Sequence, residues 1–120
     1  MAARLLRLKK RAEFLQVAAA RRKTAVPGLV LQAGPRPGDD SAVAGIGFTV
    51  TKKVGNAVLR NRTKRRLRAA AQDVMAAHAV GGHDYVLIGR DGTAERPWPD
   101  LKADLVNALK RLRLWQEAAR

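Results

Sequence analysis

Residues 52–68, KKVGNAVLRNRTKRRLR, constrain this chain more than any other segment. They contain eight Lys and Arg residues and no Asp or Glu. Like charges four residues apart on a helix destabilise it by roughly a few tenths of a kcal/mol per pair. A helix with this sequence is therefore expected to face a negatively charged partner.

The periodicity of residues 57–78 predicts a long helix that packs through one narrow stripe. The stripe consists of Leu59, Thr63, Leu67, Ala70, Val74 and Ala77. Arg60, Lys64 and Arg68 form a row on another face, with a rise of about 6 Å per step, close to the spacing of phosphates along a strand. Asn61 adds an amide that can hydrogen-bond a base edge or a ribose hydroxyl. A merely solvated charged face is the weaker interpretation, because no acids are interleaved to form pairs.

The basic residues of the whole chain are concentrated in two patches. Lys and Arg number 24 against 10 acids, which gives a formal charge of +14 and a pI near 11.6. Residues 52–68 form one patch. Residues 1–23 form the other, the N-terminal patch, with eight basic residues against Glu13 alone. This pattern predicts binding to a nucleic acid or to another phosphate-rich partner. Residues 1–8 are expected to be a flexible basic arm of a single domain that spans residues 1–120.

Several classes of protein are excluded or disfavoured by composition. The chain has no cysteine, which excludes disulfides and thiolate metal sites and fits a reducing, cytoplasmic location. No apolar run approaches the ~18 residues that cross a bilayer, so no membrane partner is predicted.

The element order predicted from the pattern is helix, two or three strands, helix, strand, helix. Helices are expected at 9–22, 57–78 and 100–116, the last with Trp115 on its apolar face, and strands near 24–26 and at 29–33, 44–51 and 85–89. Residues 34–40 and 90–99 are predicted loops. This order predicts a small α+β fold.

The strand at 44–51 has one apolar face and one small, hydroxylic face. Gly47 and Thr49 on the second face, Val30 and Gln32 on the preceding strand, and Phe14 on the first helix are predicted to line a groove. An aromatic ring beside hydroxyl and amide groups suits a single-stranded nucleic acid. Phe14 taken alone is better explained as a core residue.

No catalytic site is predicted on the protein. A nuclease needs a general acid and base or a carboxylate cluster that holds Mg²⁺. Only His78 and His83 could form a histidine pair, and they lie at a helix end and in a Gly-rich turn. Asp39 and Asp40 lie in a Pro/Gly loop and are interpreted as turn formers.

The segment VTKKVGNAVLRNRTKRRLRAA, residues 50–70, resembles the protein component of bacterial ribonuclease P. The family's Arg-Asn-Arg helix followed by Lys-Arg corresponds here to Arg60, Asn61, Arg62, Lys64 and Arg65. RLKKRAEFLQV, GIGFTVT and DYVLIGR resemble its first helix, central strand and last strand, so the resemblance covers nearly the whole chain.

The resemblance implies a fold, two partners and a metal. The fold would be a two-layer αβββαβα sandwich with a left-handed βαβ crossover. The catalytic RNA would be bound by Lys52, Lys53, Arg60, Asn61, Arg62, Lys64, Arg65 and Arg68. The single-stranded 5′ leader of precursor tRNA would lie in a cleft with Arg11, Phe14, Val30, Gln32, Gly47 and Thr49. Cleavage would use Mg²⁺ bound by the RNA, with no metal on the protein and no protein partner required.

Two positions depart from the family pattern. Ala18 stands where a second aromatic is common, and Gln32 where a tyrosine is common on the leader-facing strand. Weaker leader contact is therefore expected. Two other interpretations of the sequence stay open: a free-standing RNA-binding protein, and a protein nuclease that uses His78 and His83.

Overall fold

The computed structural model describes residues 2–38 and 40–118, which form one mixed α+β fold. In chain order the elements are β1 (Arg4–Arg7), α1 (Arg11–Ala19), β2 (Arg22–Val26), β3 (Leu29–Pro35), β4 (Val43–Thr49), a short 3₁₀ helix (Lys52–Val54), α2 (Ala57–His78), β5 (His83–Gly89) and α3 (Trp98–Arg111). The predicted α+β class and the helix at 57–78 are confirmed.

The five strands form one mixed sheet in the order β1-β4-β5-β3-β2. β4 is parallel to both β1 and β5, whereas β3 is antiparallel to β5 and β2. β4, α2 and β5 therefore form a βαβ unit with adjacent parallel strands. The left-handed path of this crossover stays a prediction.

The sheet has helices on both faces. On one face, α2 and α3 cover the main core, whose largest members include Leu29, Leu31, Leu67, Met75, Tyr85, Leu87, Leu101, Leu105 and Leu109. On the other, α1 packs over a smaller cluster of Leu8, Val17 and Val86, with Phe14 and Ile88 at its margin. The predicted sandwich has two layers, a sheet and one layer of helices. The structure adds a partial third layer, which is α1 on the opposite face of the sheet.

The N-terminal arm differs most from expectation. Residues Arg4–Arg7 form a strand in register with β4, and the backbone bonds from Arg4 N–H to Ala42 O (2.7 Å) and from Leu8 N–H to Ile46 O (2.9 Å) flank it. The element order therefore has one strand more than the predicted αβββαβα. Backbone pairing with β4 and the burial of Ala3 and Leu8 hold this segment against the sheet. Its sequence does not show the alternation of apolar and polar residues that is typical of a strand.

Two helices end earlier than predicted because an arginine takes a left-handed conformation. Arg21 (φ 57°) follows α1 and Arg113 (φ 60°) follows α3. After α3, Leu114 N–H donates to Leu109 O and Arg113 N–H donates to Lys110 O, the bonding pattern of a Schellman motif. Trp115 consequently lies beyond the helix, where it pairs with Ala79 and stacks on His78.

None of the helices in the described ranges combines the length and the hydropathy that crossing a membrane requires.

Candidate RNA interface

The start of α2 is fixed by the turn between the 3₁₀ helix and Asn56. Asn56 caps α2 through its side-chain oxygen, which accepts from Leu59 N–H at 2.9 Å. Gly55 has φ 146°, and a Cβ there would lie 2.6 Å from Leu59 Cδ2, so only glycine suits this position. Lys52 and Lys53 are exposed beside this turn.

The first half of α2 presents a basic ridge, which we define as Arg60, Asn61, Arg62, Lys64, Arg65 and Arg68. Asn61, Arg62, Arg65 and Arg68 are exposed, and Arg60 and Lys64 are half-buried. The helix is held to the core by a buried stripe on another side, with Thr63, Leu67, Ala70, Ala71, Val74 and Met75. The predicted stripe and row therefore lie on separate sides of the helix.

The charges of the ridge are not neutralised within the described part of the chain. The ion pairs there join Arg36 to Asp84, Arg96 to Asp104 and Lys102 to Asp73. No residue of the ridge takes part in them, and neither does Lys52 or Lys53. These cations are available to an external anion.

Arg66 belongs to the same run of basic residues but has a structural role. Its guanidinium donates to the carbonyl oxygens of Thr93 and Arg96 in the segment before α3. It also lies 5.9 Å from the centroid of the Trp98 ring. Burial, followed by the nearby charge of Arg62, lowers the pKa of Arg66. Periodicity alone places Arg66 on a flank of the helix and does not reveal these partners.

The α1 face of the sheet brings four predicted cleft residues into two rows. Val30 pairs with Ile88, which pairs with Thr49, and Gln32 pairs with Val86, which pairs with Gly47. Gly47 is buried because the Phe14 ring lies against it, and a Cβ on Gly47 would be 2.6 Å from Phe14 Cε2. Val30, Gln32 and Thr49 remain half-buried.

These cleft residues are divided between separate hollows. Phe14 lines a hollow of about 420 Å³ with Arg7, Leu8, Lys9 and Phe48. Gln32 lines another of about 250 Å³, and its other walls are Val17, Ala18, Arg21, Arg22 and Lys23. Ala18 and Gln32, the two departures from the family pattern, thus face the same hollow. Arg11 is exposed at the first position of α1 and lines neither hollow.

The one acid of the N-terminal patch, Glu13, accepts hydrogen bonds from the backbone of the same patch. The carboxylate of Glu13 accepts from Lys9 N–H at 3.1 Å and from Lys10 N–H at 2.9 Å. The bonds to the Lys10 and Lys9 backbone lower the pKa of Glu13, with smaller contributions from the charges of Lys10 and Arg36. Glu13 therefore caps the start of α1, and neither flanking lysine side chain forms an ion pair within the described part of the chain.

The comparisons with known proteins agree on one family. The family model described as Ribonuclease P matches residues 2–113. The chain belongs to the ribonuclease P protein family. The ribonuclease P protein component of Paramagnetospirillum magneticum is 60% identical over 114 residues, which cover 93% of this chain and 86% of that protein. That of Gluconacetobacter diazotrophicus is 60% identical over 111 residues, with 92% and 94% covered.

Solved structures of ribonuclease P proteins share the fold. The Staphylococcus aureus protein superposes with a TM-score of 0.76 at 26% identity, over 92% of this chain and 97% of that one. The Thermotoga maritima protein gives 0.72 at 24% identity, over 88% and 96%, and supports the fold alone. The resemblance predicted from residues 50–70 is confirmed, and membership assigns the chain to the ribonuclease P endoribonuclease and to tRNA processing.

The two histidines, which the nuclease interpretation would need as a pair, have separate surroundings in this ribonuclease P protein. His78 Nδ1 lies 2.9 Å from Gln116 O, and its ring stacks on Trp115 at 3.9 Å. His83 Nδ1 lies 3.0 Å from Gly81 O. Among the described residues, no group of three or more His, Cys, Asp or Glu side chains is placed to hold a metal ion.

Proposed function

We propose that the protein binds the catalytic RNA of ribonuclease P through the basic ridge, Lys52 and Lys53. In the same proposal the α1 face of the sheet binds the 5′ leader of precursor tRNA, and the protein assists Mg²⁺-dependent removal of that leader in the cytoplasm. The Mg²⁺ ions are held by the RNA, and no further protein subunit is required. The observation that carries the proposal is the row of unpaired cations on α2.

The chemistry of the ridge suits an RNA backbone. Each guanidinium offers a planar fork of donors that matches two phosphate oxygens, and Lys64 supplies a compact charge. Arg60, Lys64 and Arg68 follow one another at about 6 Å along the helix axis, so they can meet successive phosphates. Asn61 lies between two arginines and supplies a donor and an acceptor for a ribose or a base edge.

The test is the cleavage of a precursor tRNA by a bacterial ribonuclease P RNA at low Mg²⁺, with and without the protein. Wild-type protein is expected to stimulate cleavage. Combined replacement of Arg60, Asn61 and Arg62 with alanine should abolish the stimulation. Arg111→Ala with Arg113→Gly is the matched control, because it removes the same number of positive charges, and glycine suits the backbone of residue 113. Equal stimulation by the triple variant and the control would exclude the ridge as the RNA interface.

Leader binding is expected to be weak and to respond to an added aromatic. A base stacked on an aromatic side chain contributes roughly 1–3 kcal/mol, and the hollow with Ala18 and Gln32 contains no aromatic. Precursors with progressively longer leaders should therefore gain little affinity with the wild type. Ala18→Phe should increase the affinity for long leaders about fivefold or more and leave mature tRNA binding unchanged. Ala19→Phe adds the same ring at an exposed position outside the hollow and should have no such effect.

The histidines are expected to make no chemical contribution. His78→Ala combined with His83→Ala should leave the cleavage rate of the reconstituted ribonucleoprotein unchanged at saturating protein. A loss of rate at saturation, with RNA binding intact, would favour the nuclease interpretation instead. Thermal melting of the variant separates this outcome from unfolding, since His78 contacts Trp115.

A further inference from the structure

A pocket opens between β1 and α2, on the face of the sheet opposite α1. It has a volume of about 240 Å³, and its lining includes Leu5, Arg7, Phe48, Arg68, Ala71 and Gln72. Neither the Arg-Asn-Arg motif nor the predicted cleft residues line it, although it shares Arg7 and Phe48 with the hollow beside Phe14. We refer to it as the α2–β1 pocket.

The lining combines an apolar base with a charged rim. Ala71 is buried, and Leu5 and Phe48 are partly buried against the main core. At the rim, Arg7 and Arg68 are exposed. The guanidinium of Arg7 lies 5.3 Å from the centroid of the Phe48 ring. No acidic residue lines the pocket, and neither arginine has an ion-pair partner among the described residues.

These features match an unstacked nucleotide. Unpaired bases in RNA are held by stacking on aromatic rings or guanidinium planes and by hydrogen bonds to their edges. Phe48 and Arg7 supply the planes, and the Gln72 amide supplies a donor and an acceptor. The pocket is smaller than the roughly 300–1,000 Å³ of sites for drug-sized ligands, which suits a single base.

The position of the pocket indicates which nucleic acid would supply the base. Arg68 is the third member of the row Arg60, Lys64 and Arg68, so the ridge continues directly into the pocket. We propose that the α2–β1 pocket receives one unpaired base from the RNA that is bound along the ridge. This inference rests on the proposed function, and it adds a base-specific contact to binding that is otherwise through phosphates.

The chain contains no cysteine, so a single introduced cysteine can carry a photo-cross-linker at one chosen site. We would label Gln72→Cys at the pocket rim and, as the matched control, Asp73→Cys. Asp73 is the next residue but faces Lys102 of α3. With a bacterial ribonuclease P RNA, Gln72→Cys is expected to cross-link to one short unpaired segment, and Asp73→Cys is not.

Two quantitative readouts follow from the cross-linked nucleotide. Removing its base, by an abasic substitution, should weaken binding by wild-type protein about fivefold or more, the lower end of the loss expected for one stacked base. Phe48→Leu keeps apolar volume but removes the ring, so it should weaken binding to a similar degree and be insensitive to the abasic substitution. The abasic RNA tests the proposal even if Phe48→Leu proves unstable.

The outcomes separate this inference from the proposed function. The inference is overturned by equal cross-linking from the two cysteines, by a cross-link to a second protein chain, or by an abasic RNA that binds as tightly as the unmodified one. The proposed function survives these results if the triple alanine variant of the ridge still loses RNA binding. If wild-type protein fails to bind the RNA at all, both fall.

Discussion

Arg66→Ala is expected to lower the free energy of unfolding by about 2–4 kcal/mol, although Arg66 lies within the most basic segment of the chain. Its guanidinium donates to the carbonyls of Thr93 and Arg96 and lies over Trp98. A hydrogen bond to a charged group contributes roughly 1.5–3 kcal/mol, and a part-buried carbonyl left unpaired adds a desolvation penalty. Urea denaturation measures the change, and Arg66→Lys should recover little of it, because an ammonium cannot reproduce the fork.

Arg65→Ala is the matched control, one residue away and exposed. It should change stability by no more than about 0.5 kcal/mol. If the ridge and the N-terminal patch together neutralise about six phosphates, the logarithm of RNA affinity should fall with the logarithm of salt concentration at a slope of roughly −4 to −5. Arg65→Ala should reduce the magnitude of that slope by about one. A stable Arg66→Ala protein with a reduced slope would reverse the roles assigned to the two arginines.

Arg36→Met is expected to destabilise the fold by about 2–4 kcal/mol, because it leaves the Asp84 carboxylate buried without its partner. The two side chains form an ion pair at 2.7 Å, with exposed fractions of 23% for Arg36 and 3% for Asp84. Breaking a fully buried pair costs about 3–5 kcal/mol, and the partial exposure of Arg36 reduces this value. Gly45 makes room for the pair, since a Cβ there would collide with Asp84 Oδ1.

The double variant Arg36→Met with Asp84→Ala distinguishes an unpaired charge from lost packing. Removing both charges should leave a protein more stable than Arg36→Met alone, because the uncompensated carboxylate is gone. Chemical denaturation of the two single variants and the double variant forms a complete cycle. A double variant that is less stable than Arg36→Met would show that packing, and not charge, dominates at this position.

The sequence predicts those elements of the fold in which apolar residues recur at a regular spacing. The stripe of Leu67, Ala70 and Val74 has helical spacing, and α2 has the bounds expected from it. The sequence predicts the ends of α1 and α3 too far along the chain, because no glycine marks either end. Arg21 and Arg113 take a left-handed conformation, which a residue with a Cβ rarely adopts, so the sequence contains no sign of it.

Some properties of the candidate site can likewise be predicted from the sequence, and others cannot. Exposure of Asn61, Arg62 and Arg65 follows from the helical wheel, since all three lie more than about 100° away from the centre of the buried stripe of α2. The role of Arg66 does not, because its acceptors are 27 and 30 residues away in an irregular segment. The α2–β1 pocket is equally hidden from the sequence: β1 contributes to it through parallel pairing with β4, and RLLR has no strand-like alternation.

The strand order has a consequence for how the chain acquires its structure during synthesis. β5, the last of the described strands to emerge from the ribosome, lies at the centre of the sheet, between β4 and β3. Before residues His83–Gly89 are made, only the β1–β4 and β2–β3 pairs can form, and isolated two-stranded units are marginally stable. The nascent chain therefore carries its highly basic helix before the surface that seats it exists. Arrival of β5 joins the two halves in one late step, a topology rich in distant contacts that folds more slowly than a helical bundle of this size.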